Sequence, residues 1–181
     1  MLLLSKNELN ELLGEKSTWF PESLLAKLSY ASGIPEFDII MEGRTVWDAA
    51  AFVNIHKRPL GFQVEIVNNF KWSSVAIPFD LIREIHLEDK EQIIEKKEKS
   101  VIGRALVGGF LLGPVGAIIG GMSGIGTKDT LAQMPELAVT FLLRASEMDQ
   151  VVVFFCKYKH RKDVDSFLKK HCPEKYVIDA N

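Results

Sequence analysis

An uncharged stretch rich in glycine runs from Ala105 to Gly126, near the middle of a chain of 181 residues. A helix with this composition is poor in water, because each interior glycine costs about 1 kcal/mol relative to alanine. Close packing against another backbone or against lipid must offset that cost if the stretch is helical. The fold must therefore provide a surface for this segment.

The spacing of the glycines predicts a helical hairpin over residues 101–126. Glycines recur every fourth residue, which in a helix lines one face and allows a second backbone to approach closely. A glycine followed by a proline is suited to end one helix and begin the next, which places the turn at Gly113. The residues expected to contact membrane or protein are Gly109, Gly113, Pro114, Gly116, Gly120 and Gly124.

Two environments for this hairpin remain open. Each arm has about twelve residues, or roughly 18 Å of helix, which is too short to cross a hydrocarbon core of about 30 Å. A single spanning helix is disfavoured, because the strands before and after the segment are expected in one sheet and would be separated by the membrane. The hairpin either dips into one leaflet or packs against the domain or a second copy of the chain.

Composition excludes several classes of protein. The net charge of −2 argues against a nucleic-acid binder, which normally needs a clear basic excess. The two cysteines are too few for a disulfide framework and lack metal-ligand spacing. The N-terminal sequence MLLLSKNELN lacks the apolar run of a secretory signal, which predicts a cytoplasmic location.

Two helices are predicted in residues 1–35, which we interpret as an N-terminal helical extension. Ser5 and Glu8 have the spacing of a capping box, and the helix that they begin should end near Leu13. A second helix is predicted from Pro21 to about Ser32, because its leucines recur at helical spacing.

From Glu36 onwards the hydrophobic period becomes that of strands. Phe37, Ile39 and Met41 alternate with other positions, and later runs alternate or are continuously apolar. A final helix from about Asp163 to His171 should bury an apolar face. The later strands are predicted at 46–55, 62–67, 70–77, 82–87, 137–143 and 151–156, and the buried helix face at Val164, Phe167 and Leu168.

Three segments carry a resemblance to a known family. FKWSSVAIPFDLIREIHLED resembles the strand, IP-acidic turn and strand of bacterial pleckstrin-homology (PH) and GRAM-like domains, and AVTFLLRA with QVVVFFC is similar to how these domains finish. A glycine-zipper insertion between such strands also resembles a group of bacterial proteins. The resemblance implies an α+β fold, mainly antiparallel, with a PH-like barrel and a C-terminal helix. The domain would comprise 36–100 and 127–172, with the hairpin inserted at 101–126 and a tail at 173–181.

No residue pattern predicts an enzyme, a metal site, a cofactor or a small-molecule substrate. The segment Gly121 to Lys128 imitates a phosphate-binding loop, but Thr127 precedes the lysine, whereas a true loop needs lysine before Ser or Thr. The four histidines are scattered without ligand spacing. A basic run between the last strand and the last helix could contact anionic lipid through Lys157, Lys159, Arg161 and Lys162.

These patterns favour a non-enzymatic module of the PH-like class. We expect it to associate with the inner face of the cell membrane through the glycine hairpin, assisted by the basic run. The alternative is a soluble interaction module that uses the hairpin for self-assembly. Membrane lipid or another copy of the chain is therefore the expected partner.

Overall fold

The computed structural model describes residues 3–16, 22–42, 51–68, 71–89, 137–144 and 149–177. The predicted hairpin, with all six of its glycine and proline positions, lies outside these ranges, as does the phosphate-loop lookalike. The described residues form three α-helices, α1 (Lys6–Leu13), α2 (Pro35–Ile40) and α3 (Arg161–His171). They also form the strands β1 (Ser23–Ser32), β2 (Phe52–Arg58), β3 (Gly61–Asn68), β4 (Lys71–Pro78), β5 (Ile82–Asp89), β6 (Leu137–Leu143), β7 (Gln150–Cys156) and β8 (Tyr176–Val177).

The eight described strands form one sheet in the order β4-β3-β2-β1-β7-β6-β5-β8. Neighbours pair antiparallel except for β5 and β8, which are parallel. The sheet curls, because the rings of Phe62 in β3 and Phe141 in β6 lie 6.1 Å apart although three strands separate them in the sheet. This is the mainly antiparallel, PH-like architecture that the sequence predicts.

The C-terminal helix closes the core as predicted. Val164, Phe167 and Leu168 of α3 are buried in the main hydrophobic cluster, and the Phe167 ring lies 5.6 Å from the ring of Phe62. The alternation predicted for β3 is also present, since Phe62, Val64 and Ile66 are buried in the same cluster.

The first N-terminal helix is present, with both hydrogen bonds of the predicted capping box. The Ser5 backbone N–H donates to the Glu8 carboxylate at 2.7 Å, and the Glu8 N–H donates to the Ser5 hydroxyl at 3.4 Å. Leu9 and Leu13 pack on Ala76, so α1 lies against β4 on the outer face of the sheet.

The helix predicted from Pro21 to Ser32 is wrong, because Ser23–Ser32 is strand β1. The leucine spacing is ambiguous, since residues four apart share a face in a strand as well as in a helix. Leu24 and Leu28 are buried, but Leu25 is 56% exposed and so does not extend a helical stripe. Pairing with β2 and β7 decides the conformation, and the sheet therefore begins inside the range 1–35.

The strand predicted around Phe37, Ile39 and Met41 is also wrong, because Pro35–Ile40 is helix α2. Phe37 and Met41 are buried, whereas Ile39 is 73% exposed. In a strand these three residues would share one face, so the exposure of Ile39 between two buried residues fits a helix. Pro35 occupies the first turn, where proline is well tolerated.

Candidate functional site

The two ends of the segment that contains the glycine stretch lie side by side. Asp89, the last residue of β5, is the register partner of Leu137, the first residue of β6. Leu137 in turn pairs with Cys156, the last residue of β7. The chain thus leaves and re-enters the sheet at the end of the sheet where β7 also ends and Lys157 follows.

The predicted lipid-contacting residues occupy this same end of the sheet. Lys157, Lys159 and Lys162 are exposed around a single 3₁₀ turn, Tyr158–His160, that joins β7 to α3. Arg161 differs from the other three, since its guanidinium approaches the Asp89 carboxylate at 3.9 Å and lies 5.8 Å from the centre of the Tyr158 ring.

A small cavity of about 150 Å³ opens beside these lysines. We call it the cationic pocket, and its basic lining residues are Lys27, Lys157, Lys159 and His160. Its remaining lining residues are Ala26, Ser29, Phe52 and Phe155. The structure therefore brings two of the four predicted residues, Lys157 and Lys159, together with a cation from β1.

The pKa of His160 is lowered in part by the positive charge of the cationic pocket. Partial burial lowers the pKa of His160, and the neighbouring Lys159, Lys27 and Lys157 lower it further, against an opposing contribution from Asp163. His160 is therefore mainly neutral at pH 7, since its ordinary value is about 6.5. A bound anion would offset the repulsion between these cations.

Both carboxylates that follow the basic run accept hydrogen bonds, one of them from a lysine of the cationic pocket itself. Asp163 accepts a hydrogen bond from Lys27 at 2.6 Å, and this contact lowers the pKa of Asp163. Asp165 accepts from Lys169 and from the Tyr176 hydroxyl, each at 2.8 Å. Among the described residues, no salt bridge joins Lys159 or Lys162.

Lys27 is the residue of the cationic pocket that the sequence did not reveal. It reaches the pocket because β1 pairs with β7, with Leu28 opposite Cys156. A bulge between Leu25 and Leu28 places Ala26 at a φ of 49°, and its N–H donates to the Asn54 side chain at 3.1 Å. No local pattern indicates this long-range pairing.

A second, larger cavity of about 1000 Å³ lies beside α1 on the outer face of β1 to β4. Polar side chains line it in a connected network across the four adjacent strands β1 to β4. Ser23, His56 and Glu65 form one chain of hydrogen bonds in this network. No motif marks these residues in the sequence, although strand alternation on either side of the tight β2-β3 turn places His56 and Glu65 on one face.

The described residues provide neither a spanning helix nor a metal centre. None of their helices is both long enough and apolar enough to cross a bilayer. No three His, Cys, Asp or Glu side chains among them converge as a metal site. Both cysteines are buried in the core as thiols, and burial raises the pKa of Cys172 to about 11.

Comparison with known proteins identifies one family. A family model described as "Glycine zipper containing PH domain" matches residues 53–155, more than half of the chain. The matched range runs from β2 to β7 and includes the segment with the glycine stretch. Comparisons with curated proteins and with solved structures found no match.

Proposed function

Because the chain belongs to the family of glycine-zipper-containing PH domains, we propose that it is a membrane-attachment module whose lipid-facing end carries the cationic pocket and the glycine hairpin. PH-like domains are generally non-catalytic, and attachment of this kind requires no chemistry. The proposed location is the cytoplasm, at the inner face of the cell membrane. The GRAM-like likeness and the bacterial origin remain predictions.

The observation that carries this proposal is the register of three strand ends. Asp89, Leu137 and Cys156 are neighbours, so the inserted segment and the basic run leave the sheet at one end. The contact between Arg161 and Asp89 joins α3 to the same place. Tyr158, 60% exposed, adds an aromatic side chain of the kind enriched at membrane interfaces.

Charge alone would give weak attachment. Basic residues near an anionic surface contribute about 1 kcal/mol each, so Lys157, Lys159 and Lys162 supply about 3 kcal/mol. That corresponds to roughly a hundredfold preference for the surface. Stable anchoring normally takes a second signal, and the apolar glycine stretch is suited to provide it.

Sedimentation with lipid vesicles tests the proposal. The wild-type protein should bind vesicles containing phosphatidylserine and should bind less at high salt, since exposed charges are screened. Lys159→Glu with Lys162→Glu should reduce binding at least tenfold. Lys6→Glu with Lys169→Glu changes the net charge equally at remote sites and serves as the matched control.

The outcome separates membrane attachment from self-assembly. A protein that ignores anionic vesicles and forms defined oligomers without detergent would contradict the proposal and favour the alternative, assembly through the glycine stretch. Light scattering after gel filtration measures the oligomeric state. Equal vesicle binding by both double variants would show that Lys159 and Lys162 have no part in attachment.

A further inference from the structure

A serine, a histidine and a glutamate form a linear hydrogen-bonded chain on the outer face of the sheet. The Ser23 hydroxyl lies 2.7 Å from His56 Nδ1, and His56 Nε2 lies 2.7 Å from the Glu65 carboxylate. Ser23 pairs with His56 across β1 and β2, and Glu65 is a diagonal neighbour on β3. Three adjacent paired strands therefore carry this relay.

The hydrogen-bond directions within the relay follow from the environment of Glu65. Burial acts to raise the pKa of Glu65, but hydrogen bonds from the His56 and Asn54 side chains and the charge of Lys16 act to lower it, and the pKa is lowered overall. The ionised Glu65 accepts a hydrogen bond from the His56 Nε2–H group, and in that tautomer Nδ1 presents a lone pair. That lone pair accepts a hydrogen bond from the Ser23 hydroxyl, as required of a base that activates a nucleophile.

Further hydrogen bonds restrain the carboxylate. The Gln63 amide donates to the second oxygen of Glu65 at 2.6 Å and to the Ser74 hydroxyl at 3.2 Å. Arg58 donates to the Gln63 carbonyl oxygen at 3.0 Å. His56 is only 7% exposed, so the imidazole is held between its two partners with little access to water.

The relay opens into the large cavity beside α1. Ser23 is partly exposed and lines this cavity, which has a volume of about 1000 Å³. Leu4, Leu9, Leu25 and Trp72 give the cavity apolar walls. Lys16 also lines it and supplies positive charge, which favours a developing oxyanion.

We propose that Ser23 is an activated nucleophile that cleaves esters with an apolar acyl group. The Ser23 oxygen attacks the ester carbonyl while His56 Nδ1 takes the hydroxyl proton, with Glu65 as the positioning residue. The carbon-oxygen bond to the alcohol breaks, and the alcohol leaves with the proton from His56. Water then adds to the acyl-serine with His56 as base, which releases the carboxylic acid and regenerates Ser23.

This activity goes beyond the proposed membrane attachment and does not depend on it. Ser23 lies on the outer face of β1 beside α1, whereas the cationic pocket is lined by the β7–α3 turn. Failure of vesicle binding would therefore leave the ester-cleaving activity untouched. Failure of the activity would likewise leave attachment untouched.

A fluorophosphonate probe, which reacts with activated serines, tests the proposal directly. Mass spectrometry should locate the label at Ser23 in the folded wild-type protein, and Ser23→Ala should abolish it. Ser166→Ala is the control, because Ser166 is an exposed serine on α3 and belongs neither to the relay nor to the lining of the cavity. Its labelling at Ser23 should equal that of the wild type.

Hydrolysis of p-nitrophenyl butyrate tests the roles of the other two residues. His56→Gln should lower kcat roughly a hundredfold, the scale of general-base catalysis. Glu65→Gln can still accept the hydrogen bond from His56 and should lower kcat with KM unchanged, a split that a merely structural change would not produce. Circular dichroism verifies that each variant is folded.

Two results would overturn the proposal. The first is a folded wild-type protein that carries no label on Ser23. The second is hydrolysis or labelling that is equal in the wild type and in folded Glu65→Gln, because Ser23 would then react without the relay.

Discussion

At the scale of single residues, Tyr30 secures the link between β1 and α2 with one hydroxyl group. The hydroxyl accepts a hydrogen bond from the Ile34 N–H at 2.6 Å and also contacts the Asp38 carboxylate. Tyr30→Phe keeps the buried ring but leaves the Ile34 N–H without its acceptor. We expect a loss of about 1–3 kcal/mol in the free energy of unfolding, measured by urea titration.

The exposed Tyr158 provides the control for this substitution. Tyr158→Phe removes a hydroxyl from a ring that is 60% exposed, so its effect should stay within about 0.5 kcal/mol. Equal losses in the two variants would contradict the role assigned to the Tyr30 hydroxyl.

Ala26 carries backbone strain that glycine would relieve. Its φ of 49° lies in the left-handed region, which costs residues other than glycine roughly 1 kcal/mol. Ala26→Gly should therefore raise the midpoint of thermal unfolding. Ala31→Gly, at a buried position in the same strand, should lower it, because glycine adds conformational entropy to the unfolded chain.

At the scale of elements, Gly33 permits the close approach of the β1–α2 connection to β7. Its φ is +100°, and a Cβ atom there would overlap the Val151 carbonyl oxygen and lie 2.8 Å from the Val152 Cα atom. Gly33→Ala should therefore cost more than about 2 kcal/mol of unfolding free energy, from backbone strain and steric overlap together.

Gly14 gives the matched comparison for Gly33. It also has a positive φ, +76°, but a Cβ atom there would meet only the Pro59 ring, at 3.0 Å or more. Gly14→Ala should cost about 1 kcal/mol, chiefly from strain. The same urea titration measures both, and a larger loss at Gly14 would contradict the importance of the contact with β7.

At the scale of the whole molecule, the sheet should fold without the segment between β5 and β6. Asp89 and Leu137 are register partners, so a short turn can join these strands as an ordinary hairpin. Replacing residues 90–136 with such a turn should leave a cooperatively unfolding β domain, as seen by circular dichroism. An unfolded product would show that this segment belongs to the core.

Local sequence patterns correctly predicted the strands and helices whose buried residues recur with only one possible period. Phe62, Val64 and Ile66 alternate strictly and form the inner face of β3, and the apolar stripe of α3 packs into the core as expected. Ser5 and Glu8 predicted the start of α1 because a capping box depends only on neighbouring residues.

The sequence alone determined that a glycine-rich, uncharged segment lies between strands of a mainly antiparallel PH-like sheet, and that an amphipathic helix follows the strand that ends at Cys156. Only the tertiary structure decided that Ser23–Ser32 is a strand, because leucines four apart suit either conformation and pairing with β2 and β7 selects one. That pairing brings Lys27 to the cationic pocket and Ser23 to His56. Both sites consist of residues that are distant in the chain. Contacts between strands bring these residues together, and no local sequence period predicts such contacts.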